Sequence, residues 1–315
     1  MCKRVLHSLA LAAAAILLSQ TTAHAQAMRT WVASTASRGS DANACTRAAP
    51  CKTFAGALAK TVAGGEINCI DADDYGAVTI TKSISIVCDN TEAGIITGAV
   101  AITVNTAAAD TVTLKGIDID GSGTGTAAVS FTQGGTLHLQ KLRIRNFKGG
   151  NANRAFGINF TPTVAGAKLH LSDSIIADSG FGFGGAGIGV ATQGPIVTAS
   201  ITNTRVENNL AGMRIFGSAT TLNVTVTDSA FVGNSAGILN GAGVMMLNNI
   251  VVANNSEIGI ANTGPQSTTR MGNSLVTGNA TGVANQSSGV FTSYKNNQIR
   301  GNGFDGTPLP SETAE

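Results

Sequence analysis

The ten residues Asp228–Gly237, DSAFVGNSAG, return forty-five positions later as Asn273–Gly282, NSLVTGNATG. Place by place, both stretches carry a polar residue, a small one, two apolar ones, a variable one, Gly, Asn, two small residues and Gly. With the fourth residue as a marker, apolar residues recur at Ile86, Ile119, Ile144, Ile176, Val206, Phe231, Val251, Val276 and Ile299, at intervals of 20 to 33 residues. Five positions before the marker stands a second apolar residue, as at Leu114, Leu139, Leu171, Ile201, Val226, Met246 and Met271. Three positions after it stand Asn209, Asn234, Asn254, Asn279 and Asn302. Six positions after it stands Gly at 150, 182, 212, 237 and 282.

Within a unit the alternation has a period of two. LHLQKLRI (Leu137–Ile144) shows it, with a one-residue shift at Gln140–Lys141. A unit this short cannot bury its apolar residues alone. Stacked units can, because each strand hydrogen-bonds the same strand of the next coil about 4.8 Å away. The expectation is an all-β parallel solenoid of roughly ten coils, with insertions confined to loops. A propeller would need hairpin turns, and Asn-Gly pairs are few, at Asn240–Gly241 and Asn302–Gly303. Composition agrees: 39 of 315 residues are Gly and only 12% are charged, which favours strands and tight turns. A net charge of +2 without a Lys/Arg run argues against a nucleic-acid partner.

Residues 1–25 read as an export signal: Lys3 and Arg4, the apolar Leu9–Leu18, then the small-x-small Ala23–Ala25. The expected mature chain is a single domain, 26–315, secreted or periplasmic, with no membrane insertion once the signal is removed. Its divisions are 26–63 (first strand, disulfide loop and cap helix), 64–302 (coils) and 303–315 (tail). The mature chain keeps four of the five cysteines, Cys45, Cys51, Cys69 and Cys88, which allow three pairings in an oxidising compartment. Short local loops favour Cys45–Cys51 and Cys69–Cys88. No His lies near them and the spacing is not that of a zinc site, so no metal is expected there.

The repeat resembles the right-handed parallel β-helix of the pectate-lyase-like superfamily (the pectin lyase fold) of secreted bacterial proteins. The asparagines resemble that family's stacked turn asparagines; Asn tolerates the left-handed conformation and can bond to its own stack. Trp31–Leu58 is similar to the family's N-terminal segment: a first strand, a Gly/Asp/Asn loop, and a short amphipathic helix at about Thr53–Thr61 that caps the open end. Ala63–Cys88 resembles a first full coil. The resemblance covers nearly all of the mature chain and implies the fold. It leaves activity open, since this fold hosts lyases, hydrolases, epimerases, adhesins and binders.

Residues flanking the marker point outward. The column before it reads Ser85, Asp118, Arg143, Ile175, Arg205, Ala230, Ile250, Leu275 and Gln298; the column after it reads Val87, Asp120, Arg145, Ala177, Glu207, Val232, Val252, Thr277 and Arg300. Asp118 and Asp120 are expected directly beneath Arg143 and Arg145. With Arg205 and Glu207 they are the candidate binding residues for a polysaccharide or another extended partner. The alternative is catalytic: the resemblance implies a polysaccharide lyase, hydrolase or epimerase using Asp118, Asp120, Arg143 and Arg145, although none of the superfamily's catalytic signatures is present. A structural or adhesive surface role is the third reading. Ala230, Val232, Ile250, Val252 and Leu275 give the C-terminal half an apolar outer face, to be covered by a loop, by the tail Phe304–Leu309, or by a second copy in a homodimer. DADD (Asp71–Asp74) reads as a solvated loop, with calcium as the one cofactor alternative. His138 and His170 share an outward column without a third ligand, and Gly180–Gly189 reads as a coil-edge loop.

Overall fold

The computed structural model describes residues 26–89, 91–149, 154–192, 196–217 and 222–313; the expected export signal, residues 1–25, lies outside them. The chain is a parallel β-solenoid. Each coil contributes one strand to each of three sheets, here sheets A, B and C, with 11, 10 and 9 strands. Eight coil-to-coil steps cross the nine-stranded sheet, so the solenoid makes about eight turns, slightly fewer than expected. The Gly-Ile segments that follow the asparagines form the third strand, as in Leu222–Thr227, Ala230–Val232 and Ala236–Asn240.

The repeated phrase encodes two corners around a three-residue strand. Its first residue sits at the A–B corner with a left-handed backbone: Lys141, Asp173, Asn203, Asp228, Asn249 and Asn273 have φ between 47° and 53°. This accounts for the shift at Gln140–Lys141. Its sixth residue sits at the B–C corner, also left-handed, as at Asn208, Gly233, Asn254, Gly278 and Gly301. These are positions that Asn, Asp and Gly tolerate best.

The seventh residue is the ladder. Asn209, Asn234, Asn255, Asn279 and Asn302 stack, each side-chain oxygen accepting from a backbone N–H one coil below at 2.9–3.0 Å, that of Ser179 for Asn209 and of the preceding Asn for the rest. Each amide nitrogen donates onward, to the next Asn or, for Asn302, to Asp305, and inward to a carbonyl; Asn234 donates to Asn255 at 3.1 Å and to Val206 O at 3.2 Å. The two properties expected of one asparagine are thus divided between neighbours: the corner residue takes positive φ, and the ladder residue supplies the hydrogen bonds.

One coil departs from the expected positions. Val251 pairs with Ala230 and Val252 with Phe231, so Val252 is the inward residue and Asn255, not Asn254, joins the ladder. In the same coil Leu247, not Met246, pairs with inward Val226. The first coil departs too. Ile86 lies in sheet A opposite Leu114, and the residue beneath Ile119 is Ile95. Gly94 and Ile96, rather than Ser85 and Val87, therefore underlie Asp118 and Asp120.

The glycine column also differs. Gly212, Gly237, Gly259 and Gly282 belong to it, continued downward by Gly187 and Gly157, whereas Gly182 sits in a loop and Gly150 lies outside the described residues. A Cβ on Gly237 would stand 2.4 Å from Gly259 O and one on Gly259 2.5 Å from Gly282 O. Any side chain there would force adjacent coils apart.

Both ends are closed. At the N-terminal end, the helix Phe54–Lys60 is capped by Thr53, whose hydroxyl accepts from Gly56 N. It buries Phe54, Ala57 and Leu58 against the strands Ala27–Val32, Thr61–Cys69 and Val78–Ile80. The expected pairs Cys45–Cys51 and Cys69–Cys88 are both formed. At the other end the tail folds back across the last coil. Phe304 bridges Thr281, Ser311 bridges Ser293, and Glu312 accepts from Arg270 and Thr292. Among the described residues no helix is long and apolar enough to cross a membrane.

Asp71 ties the N-terminal segment to the first coil, accepting from Ser34, Ser37 and Tyr75. Burial pushes its carboxyl up, but these hydrogen bonds outweigh burial and bring it down to about 2 from the usual 3.8. A depressed pKa contributes stability that is complete above the unfolded value and lost as pH falls through the folded one. Acidification from pH 4 towards 2 is therefore expected to loosen this segment. The emission of Trp31, the single tryptophan, reports it. Emission that stays constant to pH 2, or the same transition in Asp71→Asn, would contradict the assignment.

Candidate functional site

Sheet B's outer face carries the candidate residues. Strands Asp118–Asp120 and Arg143–Arg145 are neighbours, with Asp118 opposite Arg143 and Asp120 opposite Arg145, as the sequence implies. The ion pairing is not one-to-one. Arg145 bonds both carboxylates: Asp120 through Nε at 2.9 Å, and Asp118 through Nη1. Asp120 also accepts from Ser122 N at 2.8 Å and Asn146 Nδ2 at 3.1 Å. Burial raises its pKa, but these hydrogen bonds and the Arg145 charge outweigh burial and hold the carboxyl below its usual value. Arg143 is exposed, and among the described residues its side chain has no ion pair or hydrogen bond.

These residues line a cleft of about 440 Å³. Stacking also brings in Glu92, Lys141, and Asp73 and Asp74 of DADD, groups that sequence reasoning did not place there. Glu92 could have been found only by recognising Ile95 as the marker of its coil. Asp73 is held below its usual range by the hydrogen bond from Lys52, 2.8 Å away. Asp74 accepts from Gly76 N and Ile96 N. The DADD carboxylates therefore serve as caps and ion-pair partners within the fold.

Arg205 and Glu207 lie two coils further along the same sheet and pair with each other. Arg205 lines a second hollow of about 470 Å³, with Asp173, Asn203, Asp228 and Asn249 of the A–B corner. Asn203 donates to Asp173 at 2.8 Å and Asn249 to Asp228 at 2.6 Å, giving that corner a polar edge. Ile175, between Arg143 and Arg205 in the column, lines the second hollow as well.

The apolar outer column forms, with Ala230, Val232 and Leu275 facing outward as expected, but Val251 takes the place expected of Ile250. Ile175, Val251 and Leu275 are exposed, while Ile250 and Val252 are buried. Ile250 fills the turn position that Ser229 and Ser274 occupy in adjacent coils. The tail closes the end of the solenoid and leaves this column open. His138 and His170 face each other across sheet A with ring centroids 4.9 Å apart. Burial, then the His170 charge, lowers the pKa of His138. Among the described residues no group of three or more potential metal ligands occurs.

No protein-family profile, curated protein or solved structure matches this chain. The fold is that of a parallel β-solenoid, and the site must be read from its own chemistry.

Proposed function

We propose that the protein is exported and binds an extended polysaccharide along the outer face of sheet B. The carrying observation is the succession of two hollows on one face, with Arg143 unpaired in the first and hydrogen-bonding side chains edging the second. A polymer of repeating hydroxyl and carboxylate groups matches a surface whose polar side chains repeat at the coil spacing. The export signal read from residues 1–25 and the two disulfides support an oxidising location.

The catalytic alternative fares less well. A glycoside hydrolase needs one carboxyl kept protonated as acid. Arg145 holds both Asp118 and Asp120, and Asp120 is stabilised as the anion. The adhesive alternative draws on exposed Ile175, Val251 and Leu275, which suit a second copy of the chain.

A glycan array with neutral and uronate-bearing polysaccharides, combined with product analysis, separates these readings. Arg143→Glu is expected to weaken binding to acidic glycans roughly tenfold or more, the scale of one charge-assisted contact. Absence of binding to every glycan, or equal binding by Arg143→Glu, would refute the proposal. Product release that disappears in Asp120→Ala would establish the enzyme instead.

A further inference from the structure

The outer face of sheet C carries a second constellation, independent of the sheet B cleft. Asn159, Gly189 and Arg214 follow one another in a single outward column. Phe156 and Phe216 close over Gly189, their ring centroids 6.2 Å apart and nearly parallel. A Cβ on Gly189 would meet the Phe156 ring at 2.6 Å, so only glycine lets this aromatic pair lie against the sheet. Arg154 sits over the Phe216 ring at 5.8 Å and donates from Nε to Phe183 O at 3.0 Å. It thereby fixes the loop GFGFGG (residues 180–185) beside the sheet. That loop presents Phe183, 91% exposed, and Phe181, 50% exposed.

Between the loop and the sheet lies a cleft of about 440 Å³, bounded by Phe181, Phe183, Leu210, Leu239 and Arg214. Its lining is mainly apolar. Arg214 is its cation, and Glu257, two coils further on and so about 10 Å along the axis, is its carboxylate. Arg214 has no ion pair among the described residues, and its Nε is buried without a hydrogen-bond partner, as is Asn159 Oδ1. Burial, and then repulsion from Arg154, disfavours the Arg214 cation. Arg214 thus enters an apolar cleft with no anion paired to it among the described residues, and Arg154, outside the lining but near enough to repel it, adds to the positive charge. Such an arrangement is costly unless something else supplies the negative charge.

We infer that this cleft binds an amphipathic organic anion, its carboxylate, sulfate or sulfonate seated at Arg214 and its flat apolar body held under Phe181 and Phe183. A site built of apolar walls and one convergent charge selects both properties together. Neutral apolar molecules lack the counter-charge, and inorganic anions lack the body. A second copy docking on the exposed phenylalanines is the competing occupant, and it does not account for the uncompensated Arg214.

The test uses the intact protein with two probes of like shape, 8-anilinonaphthalene-1-sulfonate and uncharged N-phenyl-1-naphthylamine, titrated by fluorescence. The sulfonate is expected to bind at least about tenfold more tightly. Arg214→Gln should abolish that difference and Arg214→Lys should retain part of it. Phe183→Ala, at a fully exposed position where folding is not at stake, should weaken both probes. Melting curves check that each variant is folded, and sedimentation at the same concentrations reports self-association. Equal affinity for the two probes in the parent protein, or sulfonate affinity unchanged in folded Arg214→Gln, overturns the inference. So does a dimer that competes with probe binding and ignores Arg214. Because the variants lie on sheet C, a failure here leaves the glycan result for Arg143→Glu untouched.

Discussion

Asn234→Ala is expected to destabilise the solenoid by about 3 kcal/mol or more, read as a lowered urea midpoint. The substitution removes an acceptor from Asn209 N and from Asn209 Nδ2, and a donor from Val206 O and Asn255 Oδ1. All of these groups are buried, and the small alanine side chain admits no obvious replacement. Each unsatisfied group costs on the order of 1–3 kcal/mol before relaxation. The neighbouring asparagines of the irregular coil give an internal comparison. Asn255→Ala should resemble Asn234→Ala, while Asn254→Gly should change stability by less than about 1 kcal/mol, since Gly233 and Gly278 fill the same corner. Equal losses at 254 and 255 would show that the ladder assignment is wrong.

Gly237→Ala is the second large effect. Gly237 does not have positive φ, so backbone strain is not the issue. The added Cβ would meet Gly259 O at 2.4 Å, Val252 Cγ1 at 2.7 Å and Asn255 Nδ2 at 3.1 Å. Two of these three neighbours belong to the hydrogen-bonded spacing of the coils and cannot rotate away. Overpacking of this kind costs roughly 1–3 kcal/mol, and the ladder bonds strained alongside should place this variant at or above the upper end. Thermal melting checks it; a variant as stable as its parent would mean that adjacent coils can separate freely.

Parallel stacking was legible in the sequence because its periodic signals are backbone requirements: positive φ at two corners, a buried amide ladder, and a column without Cβ. Where those signals were degenerate, the reading slipped. Ile250–Val252 is a run of three apolar residues and Asn254–Asn255 a run of two asparagines, so a shift by one residue leaves the pattern unchanged. Ile250 stands where both neighbouring coils have serine, Ser229 and Ser274, so the polar residue that would mark the register is missing there. The first coil lacks a ladder Asn altogether, and Ile86, an apolar residue at the repeat's interval, belongs to sheet A rather than sheet B. The Asp/Arg stack was predictable from register alone. That one guanidinium would serve both carboxylates was not, because it depends on rotamers. The sheet C cleft was hidden further still: Arg154, Phe183, Gly189 and Arg214 carry no spacing that links them until the coils are laid on each other.

The helix at one end and the folded-back tail at the other have a consequence for copy number. Each coil edge in a solenoid is a template for another coil, and nothing in the ladder counts rungs. Without its plugs such a chain is a seed on which like chains could add end to end. Phe54–Lys60 and the Phe304–Glu312 strap are therefore what make this a molecule of defined length rather than the first segment of a fibre. They also leave the middle free to gain or lose whole coils in evolution, provided the two terminators are kept.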